Sequence, residues 1–127
     1  MYVFDTNVFR ALDIITPKTF PTIWKCIDNL VLQGKLWSVR EVHRELKNNC
    51  PSEHIGDWIK NNYLIFQKPN EKELNVISEI FEYPQYQGLV KRQNLLKGLP
   101  VADPFIIASA KVKDAFVVTQ ENRVRNV

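Results

Sequence analysis

Cysteine is nearly absent from this chain: Cys26 and Cys50 are the only two, far apart and outside any metal-ligand spacing. That excludes a disulfide framework or a thiolate metal site and leaves both thiols reduced. No apolar run approaches the ~20 residues a membrane helix needs, and the first residues lack a basic region leading into an apolar signal core. No membrane partner and a cytoplasmic location are therefore expected. A strong charge excess is also missing. A net charge of +3 tolerates a polyanionic partner without forming the basic stripe of a dedicated nucleic-acid binder. Repeats, low-complexity tracts and linkers do not occur. What remains is ordinary globular usage, 45% hydrophobic and 24% charged over 127 residues, which predicts one domain spanning 1–127 with a single core.

The chain is organised around its first residues, Met1 to Asn7. Tyr2, Val3 and Phe4 show no polar alternation, as suits a short strand covered on both faces in a parallel sheet. Asp5 sits where that strand runs out, the edge at which open parallel sheets bind ligands. Thr6 and Asn7 are short polar groups able to orient it. The plain alternative is that Asp5 and Thr6 merely cap a helix.

Further on, a helix is expected from Val8 to Ile15, ended by Thr16-Pro17. Another starts near Pro21, with Ile23, Trp24, Ile27, Leu30 and Val31 on its buried face and Gly34 as its stop. Leu36 to Val39 reads as the second strand. Ser38 and Glu41 have the spacing of a capping box opening a helix to about Asn48, with Val42 and Leu46 facing the core. A short helix carrying Ile55, Trp58 and Ile59 leads to a third strand, Leu64 to Phe66. Asn70 caps a longer helix whose register is kept by Leu74, Ile77 and Phe81 and which Pro84 ends. Gln85 to Gly98 reads as an amphipathic helix with Lys91, Arg92 and Lys97 on a basic face, either solvated or touching nucleic acid.

The second stretch with chemical content is Gly98 to Glu121. Pro104 belongs in the first turn of a helix, which puts Asp103 on the preceding cap, where the free amides and the helix dipole stabilise an anion. Phe116, Val117 and Val118 form a fourth strand ending in Thr119-Gln120-Glu121. Helices between strands make the crossovers parallel, so Asp5 and Glu121 leave the same edge of the sheet and Asp103 opens a helix beside it. A fourth acid comes from Glu45 or Glu41, one helical turn apart on one face. Clustered carboxylates repel unless a cation neutralises them, and hard oxygen ligands select Mg²⁺ or Mn²⁺. That chemistry points to metal-assisted phosphodiester hydrolysis.

Asp5-Thr6-Asn7, Val42-His43-Arg44-Glu45-Leu46, Asp103 with Ile106 and Ala108, and Thr119-Gln120-Glu121, in that order and placement, resemble a PIN-domain ribonuclease, the family that includes toxins of toxin-antitoxin pairs. The resemblance covers nearly the whole chain. It implies a three-layer α/β/α fold with a central parallel sheet of about four strands. It also implies an acidic pocket of Asp5, Glu45, Asp103 and Glu121 holding Mg²⁺ or Mn²⁺, with Glu45 rather than Glu41 at the family position. The implied activity is RNA cleavage leaving a 5′ phosphate, with RNA as substrate and, for toxin-type members, an antitoxin protein as partner. Two departures stand out: the family usually has Asp where this chain has Glu121, and its domains usually continue into a last helix and strand beyond the position of Val127. A shortened domain with an open sheet edge would favour a homodimer.

In that mechanism the ions activate water and no side-chain nucleophile is needed. Asn7 and Thr119 would orient carboxylates or water. Arg123 and Arg125 join Lys91, Arg92 and Lys97 as candidate RNA contacts, while His43, read as a surface residue, and His54 are not chosen as general bases. The rival reading is a catalytically inactive PIN-like module that binds protein or RNA, its acids serving as caps and solubilising charges. A receiver-type phosphotransfer fold ranks below both, because no Asp between Asp5 and Asp103 falls at a strand end.

Overall fold

The computed structural model of the chain describes residues 1–49, 52–84 and 102–120. Four strands, β1 (Tyr2–Phe4), β2 (Leu36–Val39), β3 (Phe66–Gln67) and β4 (Phe116–Val118), form a parallel sheet in the order β3-β2-β1-β4. Val3 lies opposite Trp37 on one side and Val117 on the other. All four residues of β2 are buried, Ser38 included, as suits a strand covered on both faces.

The described helices are α1 (Thr6–Ala11), α2 (Pro21–Leu32), α3 (Arg40–Asn48), α4 (Glu53–Asn61), α5 (Glu71–Phe81) and α6 (Asp103–Lys113), with 3₁₀ turns at Leu12–Ile14 and Tyr63–Ile65. The chain steps through β1, β2 and β3 in one direction and then returns to lay β4 on the far side of β1. With right-handed crossovers this reversal sends the two sets of helices to opposite faces. Side chains of neighbouring strand residues record it. The Trp37 indole reaches one layer, donating to Ser109 Oγ on α6 at 3.0 Å, while Phe4 faces the other, edge-on to Phe9 of α1 with ring centroids 5.7 Å apart. In the first layer α5 packs on α6, and α6 on β1, β2 and β4. The result is a three-layer α/β/α fold.

The core on the α1 side is aromatic. Phe9 is fully buried and touches Phe4, Trp58 and Phe66 with centroid separations of 5.7 to 5.9 Å. Trp24 joins through Trp58 and His54. Aromatic pairs of this kind add ~0.5–1.5 kcal/mol each beyond their buried area. On the opposite face Lys113 lies over the Trp37 ring, 5.1 Å from its centroid. Two left-handed residues end helices: Gly34 (φ 68°) follows α2, and Asp114 (φ 51°) closes α6, where the Ala115 amide donates back to Ala110. Among the described residues no helix is long and apolar enough to cross a membrane.

Several expectations need correcting. The third strand is Phe66–Gln67, because Tyr63–Ile65 winds into a 3₁₀ turn instead. On α2, Trp24 and Ile27 are buried but Ile23 is exposed, and on α5 Ile77 is buried but Leu74 is exposed, so each buried face is narrower than the apolar pattern. Asn70 does cap α5, accepting from the Glu73 amide at 2.8 Å. Ser38 and Glu41 do not form a capping box. Val39 occupies the cap of α3 without a side-chain bond, and the buried Ser38 hydroxyl donates to the Phe4 carbonyl at 2.6 Å across the sheet. Nor is Asp103 the cap of α6; that residue is Ala102, and Asp103 is the first helical residue. The expected basic helix from Gln85 to Gly98 lies outside the described residues.

Candidate functional site

The reversal of strand order falls between β1 and β4, and in doubly wound sheets the crevice beyond the strand ends at such a reversal is where ligands bind. Asp5 leaves β1 at this point and Thr119 leaves β4 beside it. The Asp5 backbone amide donates to Val118 O at 3.1 Å, and the Thr119 hydroxyl donates to Asp5 Oδ2 at 3.1 Å. Asp5 Oδ1 accepts from the Thr6 amide at 2.7 Å, capping α1. Asp5 therefore caps a helix and also stands at the switch point, with only 6% of its surface exposed. One donor on each oxygen leaves further lone pairs available, since a carboxylate has about four acceptor positions.

Glu45 enters from α3. The Thr6 hydroxyl donates to Glu45 Oε2, and the Ala102 amide, at the start of α6, donates to Glu45 Oε1 at 3.2 Å. Thr6 thus holds one carboxylate through its backbone and the other through its side chain. Burial raises the Glu45 pKa above the ordinary carboxylate value, and the nearby Asp5 charge raises it further; the Thr6 and Ala102 hydrogen bonds and the Arg10 charge oppose the rise without cancelling it. Two carboxylates that disfavour each other's charge are thereby fixed together at the sheet edge.

Asp103 follows directly on Ala102 and is solvent-exposed in the first turn of α6. Thr119 donates to Asp5, whereas Asn7 is exposed on α1. Glu121 and the candidate RNA contacts Lys91, Arg92, Lys97, Arg123 and Arg125 lie outside the described residues. Among the described residues, no three His, Cys, Asp or Glu side chains converge closely enough to hold a metal. Thr6 and the Ala102 amide were the harder features to find from sequence. Thr6 was visible as a short polar neighbour of Asp5, but its link to Glu45 depends on how α3 packs against α1, and a backbone amide has no sequence signal at all.

Glu41, one turn before Glu45, is 3% exposed. Its Oε1 accepts from Arg40 Nη2 at 3.0 Å and Nε at 3.2 Å, and its Oε2 is buried with no hydrogen-bond partner among the described residues. The histidines stand elsewhere. Both ring nitrogens of His54 are engaged, with Ser52 Oγ and Leu12 O, so it is structural. His43 is half-buried, its ring centroid 5.0 Å from that of Phe66, and burial, then the Lys47 charge, lower its pKa. It lines a cavity of about 290 Å³ between α3 and α4 with Leu46, Lys47, Ile59 and Lys60, while a larger hollow of about 680 Å³ opens between α5 and α6. Neither of these two hollows is lined by Asp5 or Glu45.

Fold and site together define a doubly wound α/β domain with a carboxylate pair at its topological switch point. Within that class, the chain belongs to the family described as Domain of unknown function (DUF4411), whose profile matches residues 2–127. No curated protein and no solved structure matches it.

Proposed function

We propose that this protein is a divalent-metal-dependent endoribonuclease of the kind its sequence resembles, acting on RNA phosphodiester bonds, with an antitoxin protein as the partner a toxin-type member would have. The observation that carries the reading is the meeting of Asp5 and Glu45, through Thr6, at the β1/β4 switch point. The donor set suits the ion. Mg²⁺ keeps several waters and is commonly held by one or two carboxylates plus substrate phosphate, so a pair of hard oxygen ligands is sufficient protein ligation.

Asp5 and Glu45 would hold the cation, and Asp103, at the open end of α6, stands beside the amide that fixes Glu45. When bound, such an ion supplies an activated water and neutralises charge developing on phosphorus and on the leaving oxygen. The chain's own part is positional. Thr6 and Thr119 fix the carboxylate planes before any ligand arrives, so little ordering is left for the moment of binding. Because Glu45 must be ionised to bind a cation and its pKa is raised, cation binding strengthens as pH rises through the Glu45 pKa.

The test is cleavage of mixed single-stranded RNA with and without Mg²⁺ or Mn²⁺, alongside thermal unfolding under the same conditions. Wild-type protein should cut only with the ion and be stabilised by it; at a hundredfold excess over Kd that stabilisation is about 2.7 kcal/mol. Glu45→Gln and Asp5→Asn should lose both effects, and Glu45→Gln should keep or slightly gain metal-free stability because the repulsion with Asp5 is removed. A folded protein indifferent to the ions and inactive on RNA would leave Asp5 a helix cap only and favour the binding-module reading.

A further inference from the structure

On α3, His43 and Lys47 are one turn apart and share a face, whereas Glu45, two residues from each, lies roughly 200° round the helix axis from either. The His43 face borders the cavity of about 290 Å³ between α3 and α4. Its lining divides into an apolar floor and a charged rim. Leu46 and Ile59 are buried core residues, and the half-buried His43 ring, held against Phe66, adds a flat wall. Lys47, Asp57 and Lys60 complete the lining and are exposed. Among the described residues no ion pair involves any of the three. Each lysine alone is explained by its place in the last turn of its helix, where a cation meets the negative end of the dipole. Their convergence on one apolar hollow is not explained that way, and two ammonium groups against one carboxylate leave the rim net positive. The volume falls near the lower end of the ~300–1,000 Å³ usual for small-molecule sites, which are likewise apolar with a few polar groups.

We propose that this cavity binds a small monocarboxylate with an apolar body, the body lying against Leu46, Ile59 and the His43 ring and the carboxylate meeting the ammonium groups of Lys47 and Lys60. Charge complementarity selects that class. A neutral apolar molecule would gain from the floor alone, and a polyanion would meet two cations partly offset by Asp57 and make no use of the floor. The lysine stems add apolar surface of their own while their charged ends stay in water. Asp5 and Glu45 do not line the cavity, so the proposal is independent of the metal reading above.

The experiment is a calorimetric titration of the full chain with 1-naphthoate and with its uncharged counterpart 1-naphthamide, with backbone amide NMR shifts to locate the ligand. The proteins are wild type, the double variant Lys47→Met/Lys60→Met, and Asp57→Asn. Wild type should bind the naphthoate, with the largest shifts on α3 and α4 around His43, Lys47, Ile59 and Lys60, and should bind the amide more weakly. Methionine keeps the apolar stem and removes the charge, so the double variant should bind naphthoate about three- to tenfold more weakly, the modest effect of exposed charge pairs, and should no longer distinguish acid from amide. Asp57→Asn removes the opposing charge and should tighten naphthoate binding without changing that of the amide. All three substituted side chains are exposed; if the double variant fails to fold, Asp57→Asn and the comparison of acid with amide in wild type carry the test. No binding at low-millimolar naphthoate, or shifts centred away from α3 and α4, would overturn the proposal. Equal affinity for acid and amide in wild type would also overturn it, reducing the cavity to an unselective apolar hollow. So would undiminished naphthoate binding in the double variant, or a naphthoate affinity that Asp57→Asn leaves unchanged or lowers.

Discussion

Replacing Thr6 by valine is a sharp perturbation of the site, because it keeps the shape of a buried side chain and deletes one donor. Asp5 can still cap α1, since that bond uses the Thr6 backbone amide. Glu45 Oε2 loses the hydroxyl that holds it. Hydrogen bonds to charged groups contribute ~1.5–3 kcal/mol net, but Glu45 is only half-buried and water can replace part of the loss, so a cost of about 1–1.5 kcal/mol at pH 7.5 is expected. The pH dependence makes the argument specific. A carboxylate whose folded-state pKa is raised contributes stability that is complete below its unfolded pKa and is lost as pH rises through the folded value. The Thr6 bond restrains that rise in Glu45; without it the folded pKa moves up further and more stability is lost on the alkaline side. Thr6→Val should therefore cost little at a pH well below the ordinary carboxylate pKa, where Glu45 is protonated in both states, and its full amount at pH 7.5. Urea unfolding at several pH values measures this. With m about 1.5 kcal/mol/M, the midpoint should fall by about 0.7–1 M at pH 7.5 with m unchanged. An equal cost at both ends of the range, or none at pH 7.5, would refute the link between Thr6 and the Glu45 charge.

Other outcomes follow from the packing. Phe9→Ala removes the centre of the aromatic cluster and should cost about 3–5 kcal/mol, read by chemical unfolding. Ser109→Ala leaves the buried Trp37 indole N–H without its acceptor and should cost ~1–3 kcal/mol, with a changed tryptophan emission. Asp114→Gly relieves a left-handed residue at the end of α6, so it should be neutral or stabilising by up to about 1 kcal/mol, and a fall in Tm of several degrees would contradict this account.

The strands most legible in the sequence were the short, mostly apolar runs: Tyr2–Phe4, Leu36–Val39 and Phe116–Val118 fall where the pattern puts them. Two-sided burial accounts for Leu36–Val39, whereas Phe116 and Val117 are exposed and their strand is set by pairing with β1. The third strand shifted because Leu64 is largely exposed and Tyr63–Ile65 turns as a 3₁₀ segment, a local geometry that hydrophobicity does not encode. The capping box failed for a related reason. Ser38 is a sheet residue whose hydroxyl serves the neighbouring strand, and a spacing rule cannot tell a cap from a cross-strand donor. At the site, Asp5 and Glu45 were legible as acids at a strand end and on a helix face. That they meet through a threonine depends on how α3 packs against α1 and β2, which no local pattern encodes.

The strand order has a consequence for how the protein is made. β1 lies between β2 and β4, and its bond from Thr119 to Asp5 spans 114 positions. Closing so long a segment is entropically slow, and contacts of this separation form late in folding. During synthesis, β1 and α1 leave the ribosome well before the strand that completes their sheet edge, so Asp5 waits without Thr119 while the aromatic cluster around Phe9 can already gather. Assembly of the carboxylate pair's final setting is thereby tied to the arrival of β4, and a partly synthesised chain would be well advanced in its core before it possessed a finished site.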